Sequence, residues 1–406
     1  LGNLTIDPHK TLQLSLQMPN YSLYSPNKPD QRVEGQLKLD INNLKFLEGI
    51  STEITEANGT LQTSLQVNGT LAKPNTQGSI QLKNGAFVLS TMGINLKPVQ
   101  LSLNTQNGQW LLDGTIGSHD TVMRLQGNGA FSPKASGTIT LSGQNVLLVN
   151  SNEYVIYLSP DIKIQLADNT INITGNIQVP KAELKPQTFG GSETLSDDVV
   201  FVSEKHSEEK PSQIKTDISV TMGEDVQLNV QGLTARIIGG IRLQNRSSGP
   251  FNASGQLSVV DGKYAAYGQK LTISQGELLF SGGQIDNPGI NVRAVRTFSS
   301  STTAFSSSNR LLDFGSTNIQ SISFANKLTV GIQISGRLKT PKVTLFSEPA
   351  NLPQADILSM LLLGRPASQA SGSGGQLLLS AISTMDLGQG SKGTQLLSQL
   401  QSALGL

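Results

Sequence analysis

Apolar and polar residues alternate along almost the whole chain up to about residue 350, and this period of two constrains the fold more than any other feature. In "QRVEGQLKLDI" the aliphatic side chains of Val33, Leu37 and Leu39 fall on one side of an extended segment. "TLQTSLQVNGTL" and "DIKIQLADNTINITGNIQV" repeat the pattern. Because successive side chains of a strand point to opposite faces, each segment predicts a β-strand with one apolar and one polar face.

Glycine-containing dipeptides separate many of these segments. Such pairs accept the positive φ angles of tight hairpin turns, so they predict a long antiparallel meander. The pairs are Asn-Gly at 58–59, 68–69, 84–85, 107–108 and 128–129, and Asp-Gly at 113–114 and 261–262.

The strand pattern divides the chain into regions. Residues 1–174 and 175–350 each predict a β-trough segment. Charged or serine-rich stretches at 186–213 and 298–327 predict loops or insertions. Residues 351–406 predict a short helical and flexible C-terminal segment, because the apolar period changes there.

The change of period is clearest in "NLPQADILSMLLLGRP". Ile357, Leu358 and Leu361 share one face of a helix, and Gly364 and Pro366 are stop signals after it. "GSGGQLLLSAIS" and "TQLLSQLQSALGL" predict two further short helical segments.

Composition argues against nucleic-acid binding and against catalysis. The chain has 30 Lys and Arg against 29 Asp and Glu, so no net positive field favours nucleic acid. It has no cysteine, which excludes a disulfide or a thiolate metal site. His9, His119 and His206 are scattered, and Asp197 and Asp198 have no nucleophile or base at a telling spacing. We therefore expect no enzyme, no cofactor and no metal.

The beginning of the chain shows neither a signal peptide nor a run of 18 apolar residues. It starts in the middle of the alternating pattern, and we expect it to be part of a longer protein.

A sheet of many strands must hide its apolar face, and here aromatics make up 5% of residues and the strands give little sign of a helical cover. We therefore predict an all-β fold: an elongated, folded-over, antiparallel-rich sheet, or β-trough, with a hydrophobic interior and short helices near the C-terminus. An aliphatic interior suits phospholipid acyl chains, which need apolar contact without specific hydrogen bonds. The candidate lipid-groove residues are Val33, Leu37, Leu39, Leu61, Leu65, Val67, Ile162, Ile164, Leu166, Ile171, Ile173, Val226, Leu228, Val230, Leu257, Val259, Leu278, Phe280, Ile290, Val292, Ile332 and Ile334.

Two arginines and two tyrosines near the groove residues required separate interpretation. In "INVRAVRT" Arg296 continues the inward series, so it is a candidate rim residue for a phosphate headgroup or an acidic partner, whereas Arg293 points outward. Tyr264 and Tyr267 are interpreted as packing residues at a bend rather than as a headgroup site.

Residues 175 to 366 carry, in order, several segments of a known family. "GNIQVPKAELKP", "LSDDVVF", "GEDVQLNVQGLTARIIGGIRL" and "VGIQISGRLKTPKVTLFSEPANLPQADILSMLLLGRP" flank the most recognisable block, "GQLSVVDGKYAAYGQKLTISQGELLFSGGQIDNPGINVRAVRT". Together they resemble the C-terminal region of the TamB family, of the AsmA-like group. Residues 1 to 174 are similar to it in style only.

The resemblance implies a periplasmic conduit of Gram-negative bacteria that moves phospholipids between the inner and outer membranes. It also implies a full-length protein anchored in the inner membrane. A TamA-like outer-membrane barrel protein would be its partner, through a region largely beyond this chain.

One alternative function remains open. Exposed strand edges could act, with a TamA-like protein, as a scaffold or chaperone for outer-membrane or autotransporter protein assembly by β-augmentation. A transmembrane barrel is disfavoured because it would carry aromatic girdles, whereas the 12 Phe, 6 Tyr and 1 Trp are spread along the chain, and a β-solenoid is disfavoured because no fixed period repeats.

Overall fold

The computed structural model of the 406-residue chain describes residues 2–7, 10–19, 31–70, 73–131, 134–167, 170–186, 213–245, 250–266, 268–298, 327–370, 372–384, 396 and 398–400. The chain forms two compact units. The first contains Leu1–Gln227 and Ile238–Gly255, and the second contains Leu228–Ile237 and Gln256–Leu406.

The first unit is built from long antiparallel strands. From β1 to β9 each strand pairs with the next, β9 then pairs with β11, and β11 pairs with β12. This order confirms the predicted meander. The strands are β1 (Gly2–Asp7), β2 (Lys10–Gln17), β3 (Glu34–Ile41), β4 (Glu56–Gly69), β5 (Pro74–Leu89), β6 (Ile94–Gln106), β7 (Gln109–Ser118), β8 (Thr121–Ala130), β9 (Ser136–Gly143), β10 (Val146–Asn150), β11 (Tyr154–Ala167) and β12 (Thr170–Leu184).

The short strand β10 makes the sheet of the first unit fold over. It pairs with β11 and also meets the start of β6, where Val149 lies opposite Ile94. The Ser118 hydroxyl, at the end of β7, donates to the carbonyl of Leu147. Val146 and Ser118 are fully buried. The strand end at which β6, β7 and β8 meet β10 is therefore closed.

The loop between β3 and β4 closes the neighbouring part of the same strand end. It contains a 3-10 helix, Lys45–Gly49, that follows the buried Leu44. Leu44 packs with Ile41 and Ala57, and the partly buried Phe87 contacts this cluster. The first unit thus has one covered strand end.

Three strands have residues in both units: β13 (Gln213–Val230), β14 (Leu233–Asn245) and β15 (Asn252–Ala266). Ion pairs link their polar side chains within each unit. Lys181 lies 3.4 Å from Asp225 and Arg242 lies 2.5 Å from Asp217 in the first unit. Arg236 lies 2.9 Å from Asp261 in the second.

The pair of Arg242 and Asp217 makes the stability of the first unit depend on pH. Hydrogen bonds from Arg242 lower the pKa of Asp217 below its ordinary value. A carboxylate with a depressed folded pKa stabilises the fold above its unfolded pKa, and this contribution disappears as the pH falls through the folded pKa. We expect Asp217→Asn to flatten the acid limb of a melting-temperature profile, and Arg242→Gln to flatten it equally. A profile unchanged in both variants would contradict this prediction.

The second unit ends in strands followed by helices. Its antiparallel strands are β16 (Gln269–Gln284), β17 (Gly289–Phe298), β18 (Leu328–Arg337) and β19 (Thr340–Glu348), paired in chain order. Helices α1 (Gln354–Leu362) and α2 (Gly372–Thr384) follow, with a 3-10 turn at Ala367–Gln369 between them. The two helices confirm the predictions made from the change of period, and Gly364 has the positive φ, 75°, of a helix stop.

Most of the predicted turns are wrong. Asn107-Gly108 does join β6 to β7, but Asn58-Gly59 lies within β4 and Asp113-Gly114 within β7. Within strands, these glycines do not form turns but permit a bulge or make room for a neighbouring side chain. The register shifts between Asn58 and Thr60, so Gly59, with φ 132°, lies at a bulge. A Cβ on Gly114 would lie 2.5 Å from Leu101 Cδ2, so this glycine makes room for a neighbouring side chain.

The predicted loops lie largely outside the described residues. Those residues resume with β13 at 213 after the first loop, and at 327 after the second.

Candidate functional site: the apolar face

One face of the first unit carries a row of residues in direct cross-strand register, eight of which are aliphatic. The row crosses ten strands, from β2 to β9 and then β11 and β12, so its nine strand spacings extend over about 43 Å. Its members, in order, are Leu12, Leu39, Thr63, Ile80, Leu103, Leu112, Gly127, Ile139, Ile164 and Ile173. We call the side of the sheet that carries this row the apolar face.

Parallel rows widen the apolar face on both sides. Toward the covered strand end, Ile41, Leu61, Leu82 and Leu101 lie in register on β3 to β6. Most of the aliphatic side chains in these rows are half-buried. Fully packed cores bury such side chains almost completely. A face this long and this incompletely covered can receive apolar material.

Glycines and one tryptophan shape the apolar face near the strand end opposite the covered one. The ring of Trp110 lies where a Cβ on Gly137 or Gly129 would be, 2.1 and 2.5 Å from its Cζ2 atom. The tryptophan is thus laid flat on two neighbouring strands and is 9% exposed. Phe131 follows at 6.4 Å between ring centroids. The Trp110 ring thus fills the space that side chains at these two glycines would occupy.

Several of the sequence-predicted groove residues lie in direct cross-strand register with one another. In the first unit, Leu37 pairs with Leu65, Ile164 with Ile173, and Leu166 with Ile171. In the second unit, Leu278 pairs with Ile290, and Val292 with Ile334. Val33, Ile162, Val226, Val230 and Phe280 are buried, and the other candidates are half-buried.

Sequence reasoning missed the central part of the apolar face. Ile80, Leu82, Leu101, Leu103 and Ile139 were not among the candidates, although "GSIQLKNG" and "VQLSLNTQ" alternate in the same way. Leu112 was harder to assign, because in "QWLLDG" three apolar residues are adjacent and do not reveal which one points inward. Pairing with Leu103 settles its side.

The second unit corrects the expectation that helices give no cover. Helices α1 and α2 pack against strand residues Leu328, Val330 and Leu345, which are 7% exposed or less. From the helices, Leu358 and Leu378 enter the same cluster and are almost fully buried. We call these two helices, with the residues they cover, the helical cap. The strands alone could not reveal it, because Val330 and the uncovered Ile334 have the same pattern.

Arg296 lies at the border of the helical cap. Its partner across β18 is the fully buried Val330, so the side chain does point inward as predicted. The guanidinium donates to the carbonyl of Met360 at 3.3 Å and lies 4.7 Å from the ring centroid of Phe298. Burial lowers the pKa of Arg296 below its ordinary value. Since Met360 belongs to the last turn of α1, the arginine complements the negative end of that helix. A headgroup role for it remains a prediction.

Replacing this arginine should loosen the end of α1. We expect Arg296→Gln to reduce the free energy of unfolding of the cap by about 1–2 kcal/mol, because a charged donor to a helix carbonyl is lost. Faster hydrogen exchange at the amides of Leu363 and Gly364, which bond to carbonyls of α1, would measure it. Arg293→Gln on the opposite face is the control. Equal exchange in both variants would contradict a capping role.

Arg293 lies on the opposite, polar side of β17, as predicted. It forms an ion pair with Glu348, and its guanidinium lies 4.0 Å above the ring centroid of Phe346. Tyr264 is half-buried in β15.

The residues considered for metal or catalytic chemistry do not come together within the described part of the chain. His119 is exposed at the turn between β7 and β8. His9, Asp197, Asp198 and His206, with Tyr267, lie outside the described residues. In the ranges that the structure covers, no three His, Cys, Asp or Glu side chains are grouped to hold a metal ion. Those ranges also contain no helix with the length and hydropathy needed to cross a membrane.

The fold and the site define a class of protein: a β-rich chain with a long, incompletely covered aliphatic face. Residues 100–406 match the family described as the TamB C-terminal domain. The chain belongs to the TamB family. It is similar to the "Translocation and assembly module subunit TamB" of Haemophilus influenzae, with 26% identity over 352 residues. The match covers 83% of this chain and 25% of that relative, so the chain spans about a quarter of the relative's length.

Proposed function

We propose that this chain is part of a periplasmic hydrophobic conduit that moves phospholipids between the inner and outer membranes of a Gram-negative bacterium. The observation that carries the proposal is the row from Leu12 to Ile173, in which eight of ten strands contribute an aliphatic side chain that is half-buried, and Thr63 and Gly127 occupy the other two positions. Family membership supports a role within the translocation and assembly module.

The dimensions of the apolar face favour movement over storage. An acyl chain is about 15 Å long, half of the roughly 30 Å hydrocarbon core, whereas the row extends over about 43 Å. One bound lipid would therefore leave most of the row unused. Because aliphatic side chains recognise area rather than particular groups, a lipid could shift along the row at little cost.

The chemistry of the site fits transfer without covalent steps. The face offers Leu, Ile and Val side chains to its ligand, and none of these can act as an acid, a base or a nucleophile. The proposed conduit is thus not an enzyme and needs no cofactor. In the full-length protein it would be anchored in the inner membrane and would meet a TamA-like barrel protein at the outer membrane.

Mass spectrometry of the organic extract of the purified chain tests this proposal. We expect phospholipids in the extract. A photoreactive residue at Leu103 should capture them in cells, whereas one at Asn104, which is exposed on the opposite face, should not. An extract without lipid, together with equal capture at both positions, would refute the conduit.

The second candidate is assembly of outer-membrane proteins by strand addition. The described residues pair β19 with β18 along one edge, from Thr340 to Glu348. An extended peptide could add to the second edge of β19 through backbone hydrogen bonds. Competition by a strand-forming peptide, with lipid content unchanged, would favour this candidate over the conduit.

A further inference from the structure

In the second unit, two hairpin tips are fastened to each other at the strand ends opposite the helical cap. The backbone N–H of Leu338 donates to the carbonyl of Pro288 at 3.0 Å. The N–H of Lys339 donates to Asn287 Oδ1 at 3.1 Å, and the Lys339 ammonium forms an ion pair with Asp286. We call residues 281–288 and 337–342 the paired tips. Their mutual hydrogen bonds give them a fixed shape.

Large aliphatic side chains project from the paired tips and from the strand beside them. Leu338 is 49% exposed, Ile285 40% and Leu279 56%. A Cβ placed on Gly282 or Gly283 would meet no other atom within 4 Å, so the space around this turn is open. Exposed leucine and isoleucine held on a rigid turn gain nothing for the fold of the unit. Grouped exposed aliphatics are a common mark of a contact surface.

The charge on the paired tips indicates what kind of partner this contact surface fits. Arg337, Lys339 and Lys342 are exposed, against a single carboxylate, Asp286, that Lys339 already neutralises. The next acidic side chain along the sheet is Glu277, which hydrogen-bonds to Asn291 at 3.5 Å. Aliphatic side chains flanked by a net positive charge fit the interface of a membrane that contains anionic lipids.

We call the side of the second unit's sheet that carries Leu278, Ile290 and Val292 the apolar face of the second unit, and it also reaches this strand end. Ile290 lies two residues after the end of one tip at Pro288, and its partner in direct register, Leu278, lies three residues before that tip begins at 281, with Phe280 on the same side. At the other strand end the helices cover Leu328 and Val330. Apolar material on this face is therefore blocked at one end of the strands and can leave at the paired tips.

We propose that the paired tips insert Leu338 and Ile285 into the surface of an anionic membrane, so that the apolar face of the second unit opens onto that membrane. The role of this insertion rests on the proposed lipid function, whereas its test, the binding of vesicles, does not depend on that function. The aliphatic side chains provide the insertion, and the net positive charge of the paired tips attracts the anionic headgroups.

Vesicle flotation tests the paired tips. The whole chain should float with vesicles of phosphatidylglycerol and phosphatidylcholine, and much less with vesicles of phosphatidylcholine alone. Leu338→Asp should lower the bound fraction about tenfold, since inserting one leucine is worth about that factor. Ile285→Asp should have a similar effect, and salt at about 1 M should release the chain because it screens the basic side chains.

Leu111→Asp is the matched control, because Leu111 is 58% exposed on β7 of the first unit and is not part of the paired tips. An equal loss of vesicle binding in this variant would overturn the inference. The absence of flotation by the wild-type chain would overturn it too, and is the result expected if the tips bind a protein instead of a membrane. The lipid extract separates the two proposals. If flotation depends on Leu338 but the chain holds no extractable lipid, the membrane insertion of the paired tips is supported and the conduit is refuted. If lipid is extractable but the chain does not float, the conduit is supported and the membrane insertion of the paired tips is refuted.

Discussion

Leu112→Asp is expected to strip most of the phospholipid from the purified chain. Leu112 lies in the middle of the aliphatic row, between Leu103 and Gly127, and is half-buried. A carboxylate there would have to lose water when an acyl chain covers it, which costs several kcal/mol. The expected result is a reduction of at least about tenfold in extractable lipid, measured by mass spectrometry against protein concentration.

The neighbouring residue provides the control for this substitution. Leu111 points to the opposite side of β7 and is exposed, so Leu111→Asp introduces the same charge into water. Because Leu112 is not fully buried, its replacement should cost only about 1–2 kcal/mol in the free energy of unfolding by urea. Lipid content that falls equally in both variants, or in neither, would contradict a role of the apolar face in lipid binding.

Leu378→Asp is expected to detach the helical cap. Leu378 has no exposed surface and lies in the cluster that joins α1 and α2 to Leu328 and Val330. Burying an unpaired carboxylate there is prohibitive, so the helix must leave the sheet, at a cost of about 4 kcal/mol or more. Hydrogen exchange of α1 and α2 should become fast, and an apolar dye should bind the uncovered strands.

Its control is again the adjacent leucine. Leu377 lies on the outer side of α2 and is 41% exposed, so Leu377→Asp should change the free energy of unfolding by about 0.5 kcal/mol or less. Slow exchange in α1 and α2 of the Leu378 variant would show that the cap is held by other contacts than this cluster.

The alternation of residues predicted the strands and the sides to which their residues point, because a strand has a fixed period of two. The pattern alone therefore indicates which residues share a side with Leu39, Ile164 and Leu278, and each of these three lies opposite an aliphatic residue of a neighbouring strand. The helices were equally predictable from Ile357, Leu358 and Leu361, whose spacing changes to that of a helix. Such local patterns depend only on the geometry of one segment.

What the sequence could not predict depends on contacts between distant segments. Nothing in "VLLVN" indicates that β10 meets both β11 and the start of β6. Asn-Gly and Asp-Gly pairs allow a turn, but they serve equally at a bulge or beneath a neighbouring side chain, as Gly59 and Gly114 show. The helical cap could not be predicted from the strands, because Val330 and Ile334 follow the same alternating pattern and differ only in whether helices pack on them.

The direct register of the long row has a consequence for how such chains can vary in length. Adding one residue inside a strand of the row would turn every following side chain of that strand to the other surface and interrupt the aliphatic stripe. Adding or deleting a complete pair of strands would shift nothing, since each strand bonds mainly to its neighbours in sequence. Evolution can thus shorten or extend this molecule by whole hairpins, while single insertions are confined to turns and to bulges such as that at Gly59.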